Sequence, residues 1–259
     1  MKNSKTKTER KKNKRTKKKR KDFFCSRQES IKETSSRRRM DWLYVWSPRY
    51  RFFHEFLYSR IQDLSGFHIQ PLFAEQQLFP RKDENLHFFT GNPIKIYAIT
   101  RYIKKNMGKS FFFTDVDLIV LPTFSREDLD NYVENDITCM KESPYNIGCL
   151  FIQCNQKTLS FFQRVLERIV KTNLLDQDAF VEELPTFEGK LGVFSSEDYV
   201  QSNMISDCKY PMIIQCLTCQ NNPTDILLEK ILTISRYIDF SPIQHHLPTD
   251  VLERLCSDD

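Results

Sequence analysis

The sequence predicts an α/β domain, with a mixed, mainly parallel central sheet flanked by helices, preceded by a disordered basic arm. Three observations carry this. Short apolar runs closed by breakers alternate with segments of helical period. Apolar residues make up 40% of 259, including 21 Phe and 10 Tyr, which is enough to build a core. Positive charge gathers at one end: residues 1–40 hold 18 Lys and Arg against 4 Asp and Glu, and the remaining residues hold 21 against 30. We therefore divide the chain into a basic arm, 1–40, and an acidic domain, 41–259. The arm has no apolar periodicity and no apolar stretch of the kind a secretory leader carries, so the expected location is cytoplasmic. Lys2 to Lys21 reads as a solvated tail that could also touch nucleic acid or anionic lipid, or serve as a nuclear address.

Order is expected to begin near Asp41. Leu43-Tyr44-Val45-Trp46, closed by Ser47-Pro48, reads as a buried strand, and Arg51 to Asp63 places Phe52, Phe53, Phe56, Leu57 and Ile61 at helical spacing. His68 to Phe73 reads as a second strand, with Pro71 confining it to an edge or a bulge. Asn92-Pro93 opens a helix that Gly108 ends. Phe111-Phe112-Phe113-Thr114 is apolar throughout and too short for a helix, as a central strand would be, and Leu118 to Leu121 follows before Pro122. Ile137 to Met140, Ile147 to Ile152 and Ile213-Ile214 are further strands; Thr158 to Lys171 and Ile226 to Ile234 are amphipathic helices.

Composition excludes several classes. The 6 Gly include no G-x-G-x-x-G and no G-x-x-x-x-G-K-[ST], so neither a P-loop NTPase nor a standard dinucleotide-binding Rossmann domain is encoded. No apolar run approaches the roughly 20 residues of a membrane span. Of the 8 Cys, only Cys216-x-x-Cys219 has metal-ligand spacing, and neither a second pair nor an H-x₃₋₅-H accompanies it. The cysteines are read as reduced, mostly buried thiols.

Asp115-Val116-Asp117 is the chemical centre of the sequence. Two carboxylates one residue apart, where a buried strand ends, can reach one hard cation, and carboxylate oxygens suit Mg²⁺ or Mn²⁺. The plain alternative is a solvated acidic turn. Four blocks, Gly91-Asn92-Pro93-Ile94-Lys95, Phe111 to Pro122, Tyr145-Asn146-Ile147-Gly148-Cys149-Leu150-Phe151-Ile152 and Leu175-Asp176-Gln177-Asp178-Ala179-Phe180, resemble in order and spacing the nucleotide-diphospho-sugar transferases of the GT-A fold. The resemblance runs from about Asp41 to Lys230. It implies a single GT-A-like domain with a DxD motif.

By that resemblance, Asp115 and Asp117 are metal ligands, Asp176 and Gln177 are catalytic contacts to the sugar or acceptor, and Asp178 is a neighbour in substrate binding. Asn146 shapes the sugar pocket, and Lys95 offsets phosphate charge. Each has a structural reading beside it. Asp176 and Asp178 suit the positive end of a helix, Asn146-Ile147-Gly148 suits a turn into a strand, and Lys95 suits a solvated helical face. One departure stands out. Relatives supply a late His as a third metal ligand, where this chain has Gln215-Cys216. Two carboxylates plus water, a contribution from His245 or His246, and a degenerate site are the open alternatives.

The expected function is metal-dependent transfer of a sugar from a nucleoside-diphosphate-sugar donor to an acceptor hydroxyl of a glycan, protein or lipid, with Mn²⁺ or Mg²⁺ as cofactor. Two alternatives remain. A phosphatase-like hydrolase would use the first Asp as nucleophile, but carries its D-x-D on the first strand. A catalytically inactive α/β body would bind nucleic acid through its basic arm.

Overall fold

The computed structural model describes residues 39–74, 92–141, 145–202, 211–216, 223–236 and 241–257. The basic arm up to residue 38, Gly91 and Cys219 lie outside the described residues. Nine strands are described: β1 (Met40–Trp46), β2 (Phe67–Phe73), β3 (Ser110–Thr114), β4 (Leu118–Val120), β5 (Ile137–Lys141), β6 (Tyr145–Gln153), β7 (Leu191–Val193), β8 (Tyr199–Gln201) and β9 (Ile213–Gln215). Six α-helices accompany them: α1 (Arg51–Ile61), α2 (Asn92–Lys105), α3 (Gln156–Thr172), α4 (Asp176–Glu183), α5 (Pro223–Ser235) and α6 (Thr249–Ser257). None is long and apolar enough to cross a membrane.

The strands form two sheets. The larger has the order β2-β1-β3-β6-β5-β7, in which β1 pairs parallel with β2 and β3, and β5 parallel with β7. β6 runs antiparallel between β3 and β5. Pro71 lies in β2, the edge strand, where its missing N–H costs no inner ladder bond. The smaller sheet has the order β4-β9-β8, every strand three residues long. The run Leu118–Leu121 thus forms a strand of a second sheet and does not extend the first.

Period-two alternation explains the apolar runs, because both faces of the large sheet are covered. Trp42, Tyr44 and Phe112 enter one core, shared with α1, the small sheet, α5 and α6. Leu43, Phe111 and Phe113 enter the other, shared with α2, α3 and α4. Phe112 packs edge-on against Trp42 at 4.9 Å between ring centroids, and the Trp42 indole N–H donates to the Thr114 hydroxyl at 2.9 Å. β3 is therefore anchored on both faces up to the last residue before Asp115. Among the described cysteines, Cys139, Cys149, Cys154 and Cys216 are free and buried, and burial pushes the thiols of Cys139 and Cys154 up to about 12.

Candidate active site

The D-x-D segment is the place where the chain leaves one sheet and joins the other. Asp115 is still tied to the large sheet, its N–H donating to the Gly148 carbonyl at 2.7 Å. Asp117 already belongs to the small sheet, its carbonyl accepting from the Cys216 N–H at 3.1 Å. Between them the chain bends, and Val116 is buried in the apolar core.

Each carboxylate meets a lysine from a different helix. Lys95, in the first turn of α2, bonds Asp115 Oδ1 at 2.8 Å and Asp176 Oδ2 at 3.0 Å, with only 11% of its side chain exposed. Burial alone would lower the pKa of this ammonium, but the charges of Asp115 and Asp176 hold it above the ordinary lysine range. Lys230, on α5, bonds Asp117 Oδ2, and Asp117 likewise overrides burial to hold that ammonium high. Asp115 is pushed up by burial and by the neighbouring charges of Asp117 and Asp176, against the opposing pull of Lys95.

Asp176 opens α4, and its Oδ1 accepts from the Gln177 N–H at 2.9 Å. It therefore takes the helix-start position of the structural reading, and its ion pair with Lys95 also sets it close to Asp115. Gln177 is partly buried behind it, and Asp178 is exposed in the same first turn. Asn146 is buried in β6, where its Oδ1 accepts from the Gly148 N–H at 2.6 Å. Lys95, Asp115, Asp117 and Asp176 are thus brought together, Asn146 braces the strand beneath Asp115, and Gln177 and Asp178 stand at the helix start. Lys95 lies on the buried face of its helix. His245 is exposed, and its ring lies 3.9 Å from that of His246 on the short 3₁₀ helix Ser241–His246.

Lys230 escaped the sequence, and the placement of Gln215 and Gly148 beside Asp115 became visible only in the structure. Lys230 shares the apolar stripe of α5 with Leu227, Ile231 and Ile234, and a lysine in such a stripe is a signal that was available. Gln215 lies at the end of β9, its Nε2 3.4 Å from Asp115 Oδ2 and its Oε1 without a partner among the described residues. Gly148 makes that placement possible: a Cβ there would lie 2.0 Å from Gln215 Nε2 and 2.9 Å from Asp115 Oδ2.

These residues fit a hard divalent cation. Among the described residues three carboxylates face two ammoniums, which leaves one negative charge uncompensated, and a buried amide oxygen without a partner among them, Gln215 Oε1, stands beside the group. The side chains of His, Cys, Asp and Glu alone form no group of three or more that could hold a metal among the described residues, so any such site draws on other donors.

No family model matches the sequence, and no curated protein matches it. Solved structures do. The glycosyltransferase GlyE of Streptococcus pneumoniae TIGR4 aligns with a TM-score of 0.51 and 14% identity over 86% of this chain and 64% of its own. The bifunctional glycosyltransferase WbbM aligns with a TM-score of 0.51 and 12% identity over 81% of this chain and 52% of its own. The chain spans less than two thirds of the length of either. At these identities the likeness is one of fold, and the fold is the GT-A type of nucleotide-sugar glycosyltransferases. The D-x-D follows β3, the Asn-x-Gly lies in β6 and the Asp-Gln opens α4.

Proposed function

We propose that this chain is a glycosyltransferase that moves a sugar from a nucleoside-diphosphate-sugar donor to an acceptor hydroxyl, with Mg²⁺ or Mn²⁺ held by Asp115 and Asp117. The observation that carries the reading is the chain of ion pairs from Asp115 through Lys95 to Asp176, which couples the end of the central strand to the start of α4. A bound cation would neutralise charge growing on the leaving diphosphate.

The remaining work falls to the chain's own groups. Lys95 is spent on two carboxylates, which makes it a positioning residue: it sets Asp176 at a fixed distance from Asp115, so that sugar and diphosphate sites stay in register. Asp176 and Gln177 contact the donor sugar or the acceptor, and Asp178 lies at the edge of that pocket. Asn146 holds the strand below it. Lys230 pairs with Asp117 and holds its carboxylate in place. Residues 1–40, opposite in charge to the domain 41–259, are read as an arm that binds polyanions in a salt-dependent way.

A hydrolase using Asp115 as nucleophile draws less support, because its D-x-D would follow the first strand and here it follows the third. The test is a panel of nucleotide-sugars incubated with the full chain, with Mn²⁺ and with chelator. Nucleoside diphosphate released from one donor, only with metal, supports the proposal. Inorganic phosphate released from generic phosphoesters, with every nucleotide-sugar left intact, would overturn it.

A further inference from the structure

We propose that Gln215 is the third protein ligand of the cation, through its side-chain oxygen, so that the site is built from oxygen donors only. The inference rests on the metal-binding reading above and deepens it. Gln215 is only 6% exposed, yet its Oε1 has no hydrogen-bond partner among the described residues. An amide carbonyl buried without a partner costs about 1–3 kcal/mol, so an unfilled acceptor beside an acidic cluster is a candidate donor to a cation.

Its surroundings fix where that cation belongs. β9 pairs Gln215 with Leu118, and the bond from the Cys216 N–H to the Asp117 carbonyl holds the strand end against the D-x-D. Lys95 takes Oδ1 of Asp115 and Lys230 takes Oδ2 of Asp117, which leaves one oxygen of each carboxylate outside the ion pairs. On Asp115 that oxygen is Oδ2, the one facing the Gln215 amide at 3.4 Å. The terminal amide torsion is broad and roughly two-fold, and its two ends have nearly the same size. Half a turn exchanges them and sets an oxygen where Nε2 stands. Neighbouring oxygens in an octahedral shell with bonds of about 2.1 Å are about 3 Å apart, close to that spacing. The absent side chain of Gly148 keeps the space open. Turned inward, Gln215 adds a neutral oxygen to two carboxylates, a set that favours Mg²⁺ and Mn²⁺ over ions preferring nitrogen or sulfur.

One competing use of Gln215 is visible. Gln201, its register partner on β8, is 3% exposed with its Nε2 also unpartnered among the described residues, and the two amides could serve each other. The experiment separates these uses without an activity assay. Mn²⁺ alone is titrated into the full chain and free Mn²⁺ is read by electron paramagnetic resonance, for wild type, Gln215→Ala, Gln215→Glu and Gln201→Ala, with thermal melts in chelator. The proposal expects Gln215→Ala to weaken Mn²⁺ binding about tenfold or more, Gln215→Glu to match or exceed wild type, and Gln201→Ala to stay within about threefold. Wild-type Mn²⁺ affinity in a destabilised Gln215→Ala would make the residue a structural amide and overturn the assignment alone. If Gln215→Ala does not fold, Gln215→Glu decides, and a tenfold loss there overturns the assignment. Wild type that binds no Mn²⁺ overturns both this inference and the metal in the proposed function. Mn²⁺ binding that depends on Gln215, in a protein that cleaves no nucleotide-sugar, upholds the ligand and overturns only the proposed reaction.

Discussion

The two carboxylates of the D-x-D are held by very different structures. Asp115 ends a five-residue strand in the middle of a six-stranded sheet, with aromatic side chains packed on both faces and Lys95 bridging it to Asp176. Asp117, two residues on, sits on a sheet of three-residue strands and answers to a single lysine from α5. The first half is a frame and the second is an attachment to it. The proposed cation site, spanning both, would draw one carboxylate from the frame and one from the attachment.

The largest stability effect should come from the frame. Lys95→Met leaves two partly buried carboxylates, Asp115 and Asp176, without their shared counter-charge, and such a loss costs up to about 3–5 kcal/mol. Lys230→Met uncovers one carboxylate on the looser side and should cost less, by about 1 kcal/mol or more. Urea melts of both variants compare the halves directly, and equal losses would break the distinction. Gly148→Ala comes next. Its new Cβ meets Gln215 and Asp115 across the junction, so an overpacking cost of about 1–3 kcal/mol should be joined by weaker Mn²⁺ binding.

A smaller effect is expected in alkali. Both lysines titrate above their unfolded values, so their ion pairs contribute fully below about pH 10.4 and lose that contribution as pH rises through the folded values. Between the two, the folded state binds more protons than the unfolded one and stability falls with pH. The fall measured from pH 9 to pH 11.5 should be shallower in Lys95→Met than in wild type. A steeper fall in the variant would reverse the sign. The smallest effect belongs to His245→Ala: the residue is exposed and its ring lies tilted against that of His246, so metal affinity and turnover should stay at wild-type values, and a loss as large as that of Asp117→Asn would make it a ligand.

The same contrast governs what could be read from the sequence. Phe111–Phe113 announces a central strand because alternate residues enter two separate cores, and the D-x-D gains meaning from its place at the end of that strand. The helix over Thr158–Lys171 is legible for the same reason, since its apolar stripe is long enough to show a period. The small sheet as a separate sheet is not, although Ile213-Ile214 reads as a strand, because three-residue strands show no period and their pairing spans about a hundred residues, from Leu118 to Gln215. Lys95 reads as exposed when its helix is viewed alone, and only the fold brings two carboxylates to bury it. The sequence marks Gln215 only as standing where relatives carry a late His; its approach to Asp115 depends on a missing Cβ at Gly148 on another strand.

The central claim is that Asp115 and Asp117 together hold the charge that the leaving diphosphate needs. It is tested most directly by the rate of nucleoside-diphosphate release from the active donor in saturating Mn²⁺, for wild type, Asp115→Asn and Asp117→Asn. Each change removes a charge at nearly constant size, so the account predicts folded proteins slowed by roughly two to three orders of magnitude, which is about 3–4 kcal/mol of transition-state stabilisation. An Asp115→Asn protein that binds Mn²⁺ normally and works at the wild-type rate would contradict it.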